Sequence, residues 1–455
     1  MEIDMTQAEK QVFMTTAPVE KLVCRMAVPT IISMLITNFY NMADTFFVGK
    51  LEDVQSTGAV GIAFSMMAII QALGFMFGHG SGISISNFLG KKENERAERV
   101  ATTGFLCAFV SGVLLTIFGL LFLEPLCYLL GSTETILPYA KSYLRIILIG
   151  APIMMSSIVI NNQMRYQGNA TYAMVGIVAG AVINIGLDPL LIFVFDMKIV
   201  GAATATVISQ FISFLLLYCG SRREGNIHLN IRKVDLRPQT IFGIVKIGFP
   251  SLCRQGLASI AAASMNLAAG PFGDEIIAGM TVSNRIMMFI NATMIGFGQG
   301  FQPVCGFNYG AGKFDRVKKA FLFCVKASFV GLLILAGLAA GFAPTLIRCF
   351  KNDPKVIEMG VLALRLHCLS LPLNSVIVMT NMLLQASGKS LSATIAAAAR
   401  QGLFYLPIIW IIPRFFGIYG IAAAQPLADV LALLLAIPFA VFFFRNRQFR
   451  EQQNV

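Results

Sequence analysis

Charge is scarce in this 455-residue chain: Asp, Glu, Lys and Arg make up 13% of it, about half the share in a soluble globular protein. A water-soluble fold cannot hide the 56% of residues that are apolar, which excludes an ordinary soluble enzyme or binding domain. Histidine occurs three times and tryptophan once, at Trp410, too little for histidine-based metal chemistry. Nine cysteines lie scattered, mostly in apolar runs, with no CxxC and no His/Cys cluster. They read as small buried hydrophobes, not as a disulfide framework or zinc site. Also missing are a GxxxxGK[ST] phosphate loop, which argues against an ATPase, and the HExxH and GxSxG constellations of a membrane-embedded hydrolase.

What is abundant fits a helical membrane protein: 40 Gly, 37 Phe and 22 Met. Crossing a bilayer core about 30 Å thick takes about 20 apolar residues. Runs of that kind cover 23–48, 57–89, 101–123, 142–165, 171–195, 199–219, 241–267, 276–307, 320–343, 360–386, 392–412 and 417–444. Twelve spans put both ends of the chain on one side. A net charge of +12 raises nucleic acid as a partner, but the bases gather in short linkers, with no basic recognition face. Lys91, Lys92, Arg96 and Arg99 follow the second run; Arg222, Arg223, Arg232, Lys233 and Arg237 the sixth; Lys313, Arg316, Lys318 and Lys319 the eighth; Arg445, Arg447 and Arg450 the last. Alternate linkers are poorer in bases, so both termini are expected in the cytoplasm. The polar first 22 residues do not form a cleavable secretory signal.

The chain repeats itself. GSGISISNFLGKKENERAERV is echoed by QGFQPVCGFNYGAGKFDRVKKA, with Gly90 falling on Gly310 at an offset of 220. The same offset carries Arg145 onto Arg365, Pro152 onto Pro372 and Gly168 onto Gly388; Pro29 meets Pro250 at 221 and Gly201 meets Gly420 at 219. Six spans per half make the halves parallel, an arrangement that transporters use for alternating access. The expected fold is an all-α polytopic membrane protein: a segment 1–22, a six-helix bundle 23–220, a basic connector 221–240, a second bundle 241–444 and a tail 445–455. The two bundles would form a V-shaped cleft.

Buried polar groups are costly in a bilayer, so each one is a functional candidate. Asn184 and Asp188 are four apart and share a helix face. From Thr171 to Asp188 is about 25 Å of helix, and Thr206 lies about 10 Å in from the outer surface on the returning span. Asp44, near the outward end of the first span, falls at similar depth. Two carboxylates in a low-dielectric bundle resist double ionisation and can trade a proton for Na⁺. Asn184 and Thr206 would add neutral oxygens. The plainer readings are a water-facing helix end for Asp44 and a local bond near Pro189 for Asp188. Gln163, Arg165, Gln255, Asn291, Asn374, Asn381, Gln385 and Asp429 are candidate substrate-cavity residues, with Arg285, Arg400 and Gln425 beside them; hydrogen bonds between helices are the alternative. His79, in GHGSG, is either a pH-sensitive group or locally packed. The Met and Phe content suits a promiscuous binding surface or contact with lipid.

From VPTIISMLITNFYNMADTFFVG through SISNFLG, NNQMRYQGNA, VINIGLDPLLIF, VGAATATVISQ, FNYGAGKFDRVKKA and MLLQASGK, nearly the whole chain resembles the multidrug and toxic compound extrusion family, on its DinF-like bacterial branch. That resemblance implies a twelve-helix antiporter of the bacterial cytoplasmic membrane, exporting mainly cationic amphiphilic drugs in exchange for H⁺ or Na⁺. It implies no other cofactor, and ion-coupling roles for Asp44, Asn184, Asp188 and Thr206, all four also as ligands should the ion be Na⁺. NorM-type relatives carry acids in the seventh, eighth and tenth spans, whereas FPSLCRQGLASIAAASMNLAAG and LRLHCLSLPLNSVIVMTNMLLQASG carry none. Coupling is therefore expected in the first half. The expected partners are small amphipathic organic cations and membrane lipids, with no nucleic acid and no obligate protein partner; a monomer suffices because the pathway lies within one chain. The alternatives are export of a lipid-linked compound or metabolite, and a non-transporting scaffold or receptor.

Overall fold

The computed structural model describes residues 5–51 and 54–445; Arg447 and Arg450 of the basic tail lie outside them. Every regular element among these residues is helical. A short α1 (Gln7–Thr16) precedes the long helices α2 (Val19–Gly49), α3 (Val54–Gly90) and α4 (Asn94–Leu121). After the short α5 (Leu123–Leu129) come α6 (Leu137–Tyr166), α7 (Ala170–Pro189) with a π-helical turn at Leu190–Val194, and α8 (Lys198–Ser221). The second half repeats the order: α9 (Pro238–Ala269), α10 (Asp274–Gly310), α11 (Phe314–Gly341), the short α12 (Ala343–Phe350), and α13 (Pro354–Ser370) running on into α14 (Asn374–Ala386). Then α15 (Ser390–Ala398) passes through a π-helical turn at Ala399–Leu403 to α16 (Tyr405–Ile411), and α17 (Pro413–Arg445) ends the fold. A left-handed residue, Gly417 at φ +55°, breaks α17 near its start.

Among the described residues, ten passages are both long and apolar enough to cross a membrane. The helices α9 and α10, at 32 and 37 residues, are as long but carry Arg254, Gln255, Arg285 and Asn291, which makes them more polar. Ten plus these two give the twelve passages expected from the sequence.

The packing inverts the pattern of a soluble helix. In α17 the buried positions include a stripe of small residues, Gly420, Ala424, Ala428, Ala432, Ala436 and Ala440, one turn apart, while Leu427, Leu431, Leu434 and Phe442 are exposed. Likewise α4 buries Gly104, Ala108, Gly112 and Gly119 and exposes Phe109, Leu114, Ile117, Phe118 and Leu121. Lipid tails are as apolar as leucine, so bulk gains nothing by facing inward; small residues let helix backbones approach and gain dispersion contact instead. A Cβ on Gly112 would lie 2.5 Å from Cα of Pro152 on α6.

The repeat is visible in side-chain chemistry. Asn161 Nδ2 donates to the Ala173 carbonyl at 2.7 Å, and Asn381 Nδ2 donates to the Ala393 carbonyl at 2.7 Å, both partners 220 residues on. The turn that follows reverses through Gly168 (φ +89°) in the first half and Gly388 (φ +72°) in the second.

The compact units divide inside helices. Unit 1 contains residues 5–16 and Ile32–Leu252; unit 2 contains Ala17–Ile31 and the described residues from Cys253 onward. The changes of unit fall close to Pro29 in α2 and Pro250 in α9. Within unit 1 the first part of α9 lies against α3 so closely that a Cβ on Gly80 would meet the Ile244 carbonyl oxygen at 2.1 Å, and one on Gly248 the Met76 carbonyl oxygen at 1.8 Å. Unit 2 has the repeat-related contact, where a Cβ on Gly300 of α10 would come within 2.4 Å of Cα of Ala27.

Two segments that read as polar linkers are docked. In unit 1, Lys10 on α1 donates to the Gly225 carbonyl at 2.9 Å and to Asn226 Oδ1 at 3.1 Å. The connector is tied to α4: the Asn230 and Asp235 N–H groups donate to Thr102 and Thr103 hydroxyls at 3.2 and 3.0 Å, and Lys233 pairs with Glu98. Hydrogen bonds from the Thr240 hydroxyl and the Arg237 N–H hold the Asp235 carboxyl below the usual carboxylate range.

Candidate functional site

In unit 1 four helices bring their rare polar groups to one place. Asn184 and Asp188, one turn apart on α7, are 1% and 0% exposed, and Asn184 Nδ2 donates to Asp188 Oδ1 at 3.3 Å. Asp44 on α2 is half-buried and near enough to Asp188 for the two charges to interact. Thr206 on α8 is 2% exposed and lies beside the hydroxyl of Tyr143 on α6. Tyr143 in turn interacts with both acids and with Tyr40 on α2. Tyr40 lies beside Gln210, one turn along α8 from Thr206.

The donor count is what sets this cluster apart. Asp44 Oδ1, Asn184 Oδ1 and Asp188 Oδ2 are all buried, and none has a hydrogen-bond partner among the described residues. Buried polar atoms are normally paired, because each unpaired one forfeits its water without compensation. Three acceptor oxygens, two of them on carboxylates, therefore form a site that lacks positive charge or protons. Oxygen-only ligation of this kind suits a hard small cation, and protonation of a carboxyl would satisfy it equally.

Local sequence explains how α7 presents these groups. Pro189 has no N–H, so the Ile185 carbonyl loses its helical partner, and the chain continues as the wider turn Leu190–Val194. Such π-turns collect at functional sites. Gly201, whose Cβ would lie 2.8 Å from the Leu191 carbonyl, lets the start of α8 pack onto that turn.

The other sequence candidates have more varied surroundings. Gln163 Nε2 donates to Ser81 Oγ at 3.0 Å and to the Ala101 carbonyl at 2.8 Å, tying α6 to α3 and α4. Arg165 Nη2 lies 3.2 Å from His79 Nε2. Arginine only donates, so Nε2 accepts, and Nδ1 carries the proton toward Ser251 Oγ at 2.7 Å; Phe75 stacks on the ring. His79 is thus enclosed by specific partners on α6 and α9. In unit 2, Asn381 is engaged with the Ala393 carbonyl and accepts from Arg254 at 3.3 Å, while Gln385 Oε1 accepts from Gln302 at 3.2 Å. Gln255 and Asn291 are half-buried and Arg285 is exposed. Asn374 is 1% exposed with both side-chain polar atoms unpartnered. Asp429 is 1% exposed; its Oδ1 accepts from Arg400 Nε at 2.8 Å and Gln425 Nε2 at 2.9 Å, and its Oδ2 from Ser370 Oγ at 2.9 Å. Among the described residues there is no cluster of three or more His, Cys, Asp or Glu that could hold a metal.

The MatE family profile matches residues 29–190 and again 250–411, two stretches offset by 221. Multidrug export protein MepA of Staphylococcus aureus (strain MRSA252) is 27% identical over 443 residues, covering 96% of this chain and 97% of that protein. Among solved structures, that of a MATE protein in complex with MaL6 superposes with a TM-score of 0.90 at 25% identity, over 95% of this chain and 99% of that one. The outward-facing conformation of a multidrug resistance MATE family transporter of the MOP superfamily gives 0.89 at 25% identity, over 95% and 98%.

Proposed function

The chain belongs to the MatE family, and from that premise we propose that it is an antiporter that exports amphipathic, mainly cationic organic compounds in exchange for H⁺ or Na⁺. It is a transporter rather than an enzyme, and its relatives are multidrug exporters. The observation that carries the coupling assignment is the cluster of three unpartnered buried oxygens on Asp44, Asn184 and Asp188.

In this reading the two acids share one exchangeable positive charge. With the site open outward, H⁺ or Na⁺ enters between Asp44 and Asp188, with Thr206 and the two tyrosines as neutral neighbours, and the state that holds substrate loses stability. With the site open inward, the ion leaves down its gradient and the acids again require a cation. Alternating access then couples the two fluxes, because a buried pair of uncompensated carboxylates is too costly to pass through the closed state. Both termini lie in the cytoplasm, as the basic linkers direct. The halves 23–220 and 241–444 act as the repeated transport bundles, and one chain completes the pathway.

The test is ethidium efflux from sealed proteoliposomes under separately imposed pH and Na⁺ gradients. The intact protein responds to one of the gradients. Asp44→Asn and Asp188→Asn each abolish that response while still melting cooperatively. Unchanged gradient-driven efflux in both variants would refute the assignment.

A further inference from the structure

Where α7 begins and α8 ends, unit 1 carries two arginines held in place by aromatic rings. The helices lie side by side here: Ser213 Oγ donates to the Gly176 carbonyl at 2.8 Å, and a Cβ on Gly176 would come within 2.5 Å of the Leu217 side chain. Tyr172 of α7 and Tyr218 of α8 therefore pack against the same buried cluster of Ile160, Met164, Ala173 and Leu217. Phe214 stacks on Tyr218, with ring centroids 6.0 Å apart.

Each tyrosine carries a guanidinium. That of Arg222 lies over the Tyr218 ring at 5.2 Å and that of Arg223 over the Tyr172 ring at 5.0 Å; Arg223 Nη1 also donates to the Tyr172 hydroxyl. Both arginines are exposed, and among the described residues neither forms an ion pair, although Glu224 is next in the chain. Nearby bases of the same unit are compensated, Arg96 by Glu93 and Lys233 by Glu98. Stacking engages the face of a guanidinium and leaves N–H groups on its edge, the geometry that matches a phosphate. Two such groups fixed beside each other without an acid call for an anion.

The surroundings say which anion. One and two turns back along α8, Leu215, Leu216 and Phe211 are exposed, as is Val175 on α7, so the guanidiniums stand at the edge of an apolar, lipid-facing surface. Tyrosine is enriched at that boundary, and anionic headgroups are drawn to bases just outside a membrane helix. We propose that Arg222 and Arg223, braced by Tyr218 and Tyr172, bind the phosphate of an anionic phospholipid whose acyl chains run along the exposed face of α8. Bound there, the lipid clamps the ends of the two helices that carry Asn184, Asp188 and Thr206. The site is independent of the ion-coupling assignment.

Purified full-length protein in detergent micelles is given phosphatidylglycerol, phosphatidylcholine or inorganic phosphate; bound lipid is counted by native mass spectrometry and Tm is measured alongside. The intact protein retains phosphatidylglycerol in preference to phosphatidylcholine and melts higher with it, whereas inorganic phosphate leaves Tm unchanged. Arg222→Gln/Arg223→Gln loses that preference and that rise. Lys91→Gln/Lys92→Gln, which removes an exposed basic pair with no stacked ring, keeps both. Tyr172→Phe keeps the ring but not the hydroxyl that orients Arg223, and weakens phosphatidylglycerol binding about fivefold. Undiminished binding in Arg222→Gln/Arg223→Gln overturns the proposal. So does equal loss in the two glutamine pairs, which would reduce the effect to a general attraction of bases for an anionic surface, and so does a Tm rise from inorganic phosphate that matches the lipid's. Should the arginine-to-glutamine pair fail to fold, Arg222→Lys/Arg223→Lys decides: it keeps the charge and loses the planar fork, so binding weakens, and an unchanged affinity overturns the site.

Discussion

At the scale of the residue, the candidate site is defined by what its oxygens lack. Asp44, Asn184, Asp188 and Thr206 could be picked out of the sequence because a polar side chain in an apolar span is rare and costly, and the i, i+4 spacing of Asn184 and Asp188 placed them on one face. Tyr40, Tyr143 and Gln210 could not. A tyrosine in a membrane helix usually marks an interface, and nothing near Tyr143 in sequence says that α6 turns its hydroxyl toward Thr206. Only Tyr40, one turn before Asp44, carried a local hint. The Tyr143 hydroxyl lies beside the site, and one hydrogen bond from it to the site in the ion-bound state would be worth about 1 kcal/mol. Tyr143→Phe is therefore expected to raise the coupling-ion concentration giving half-maximal ethidium efflux about fivefold without abolishing efflux. An unchanged ion dependence would show that the tyrosine only fills space.

At the scale of the element, helix positions followed from apolar runs, but their roles in packing did not. Hydropathy alone cannot tell which face of α4 or α17 meets lipid, since both faces are apolar; the glycine and alanine spacing carries that information. Gly112→Leu pushes a side chain into the Pro152 backbone, 2.5 Å from the new Cβ, and should cost about 1–3 kcal/mol. Val110→Leu, on the face that is 45% exposed, should stay within about 0.5 kcal/mol. Melting in detergent micelles checks both, and equal Tm values for the two variants would contradict the packing scheme. The docked α1 and connector escaped the sequence because their anchors are long-range: Lys10 reaches Gly225 and Asn226, and Asp235 reaches Thr103. The π-turns were likewise hidden, although Pro189 marked the place of one.

At the scale of the whole molecule, the duplication was the most legible feature, and the double match of the MatE profile at an offset of 221 repeats the spacing read from Gly90 and Gly310. What duplication does not dictate is symmetry of function. The two halves keep the same order of long helices and the same Asn161 and Asn381 bonds, yet one gathers two acids and the other an Arg–Asp pair. The compact units also change over within α2 and α9 near Pro29 and Pro250, a boundary set by packing that no linker composition reveals. The coupling proposed for unit 1 is an obligatory exchange of a cation at Asp44 and Asp188 for substrate. Its most direct test runs the cycle backward: proteoliposomes are given an ethidium gradient and no ion gradient, and movement of H⁺ and Na⁺ is followed. The account predicts that ethidium flowing one way drives one of these ions the other way in the intact protein, and that neither ion moves in Asp188→Asn. Ethidium flux without counter-movement of either ion, or counter-movement that persists in Asp188→Asn, would contradict it.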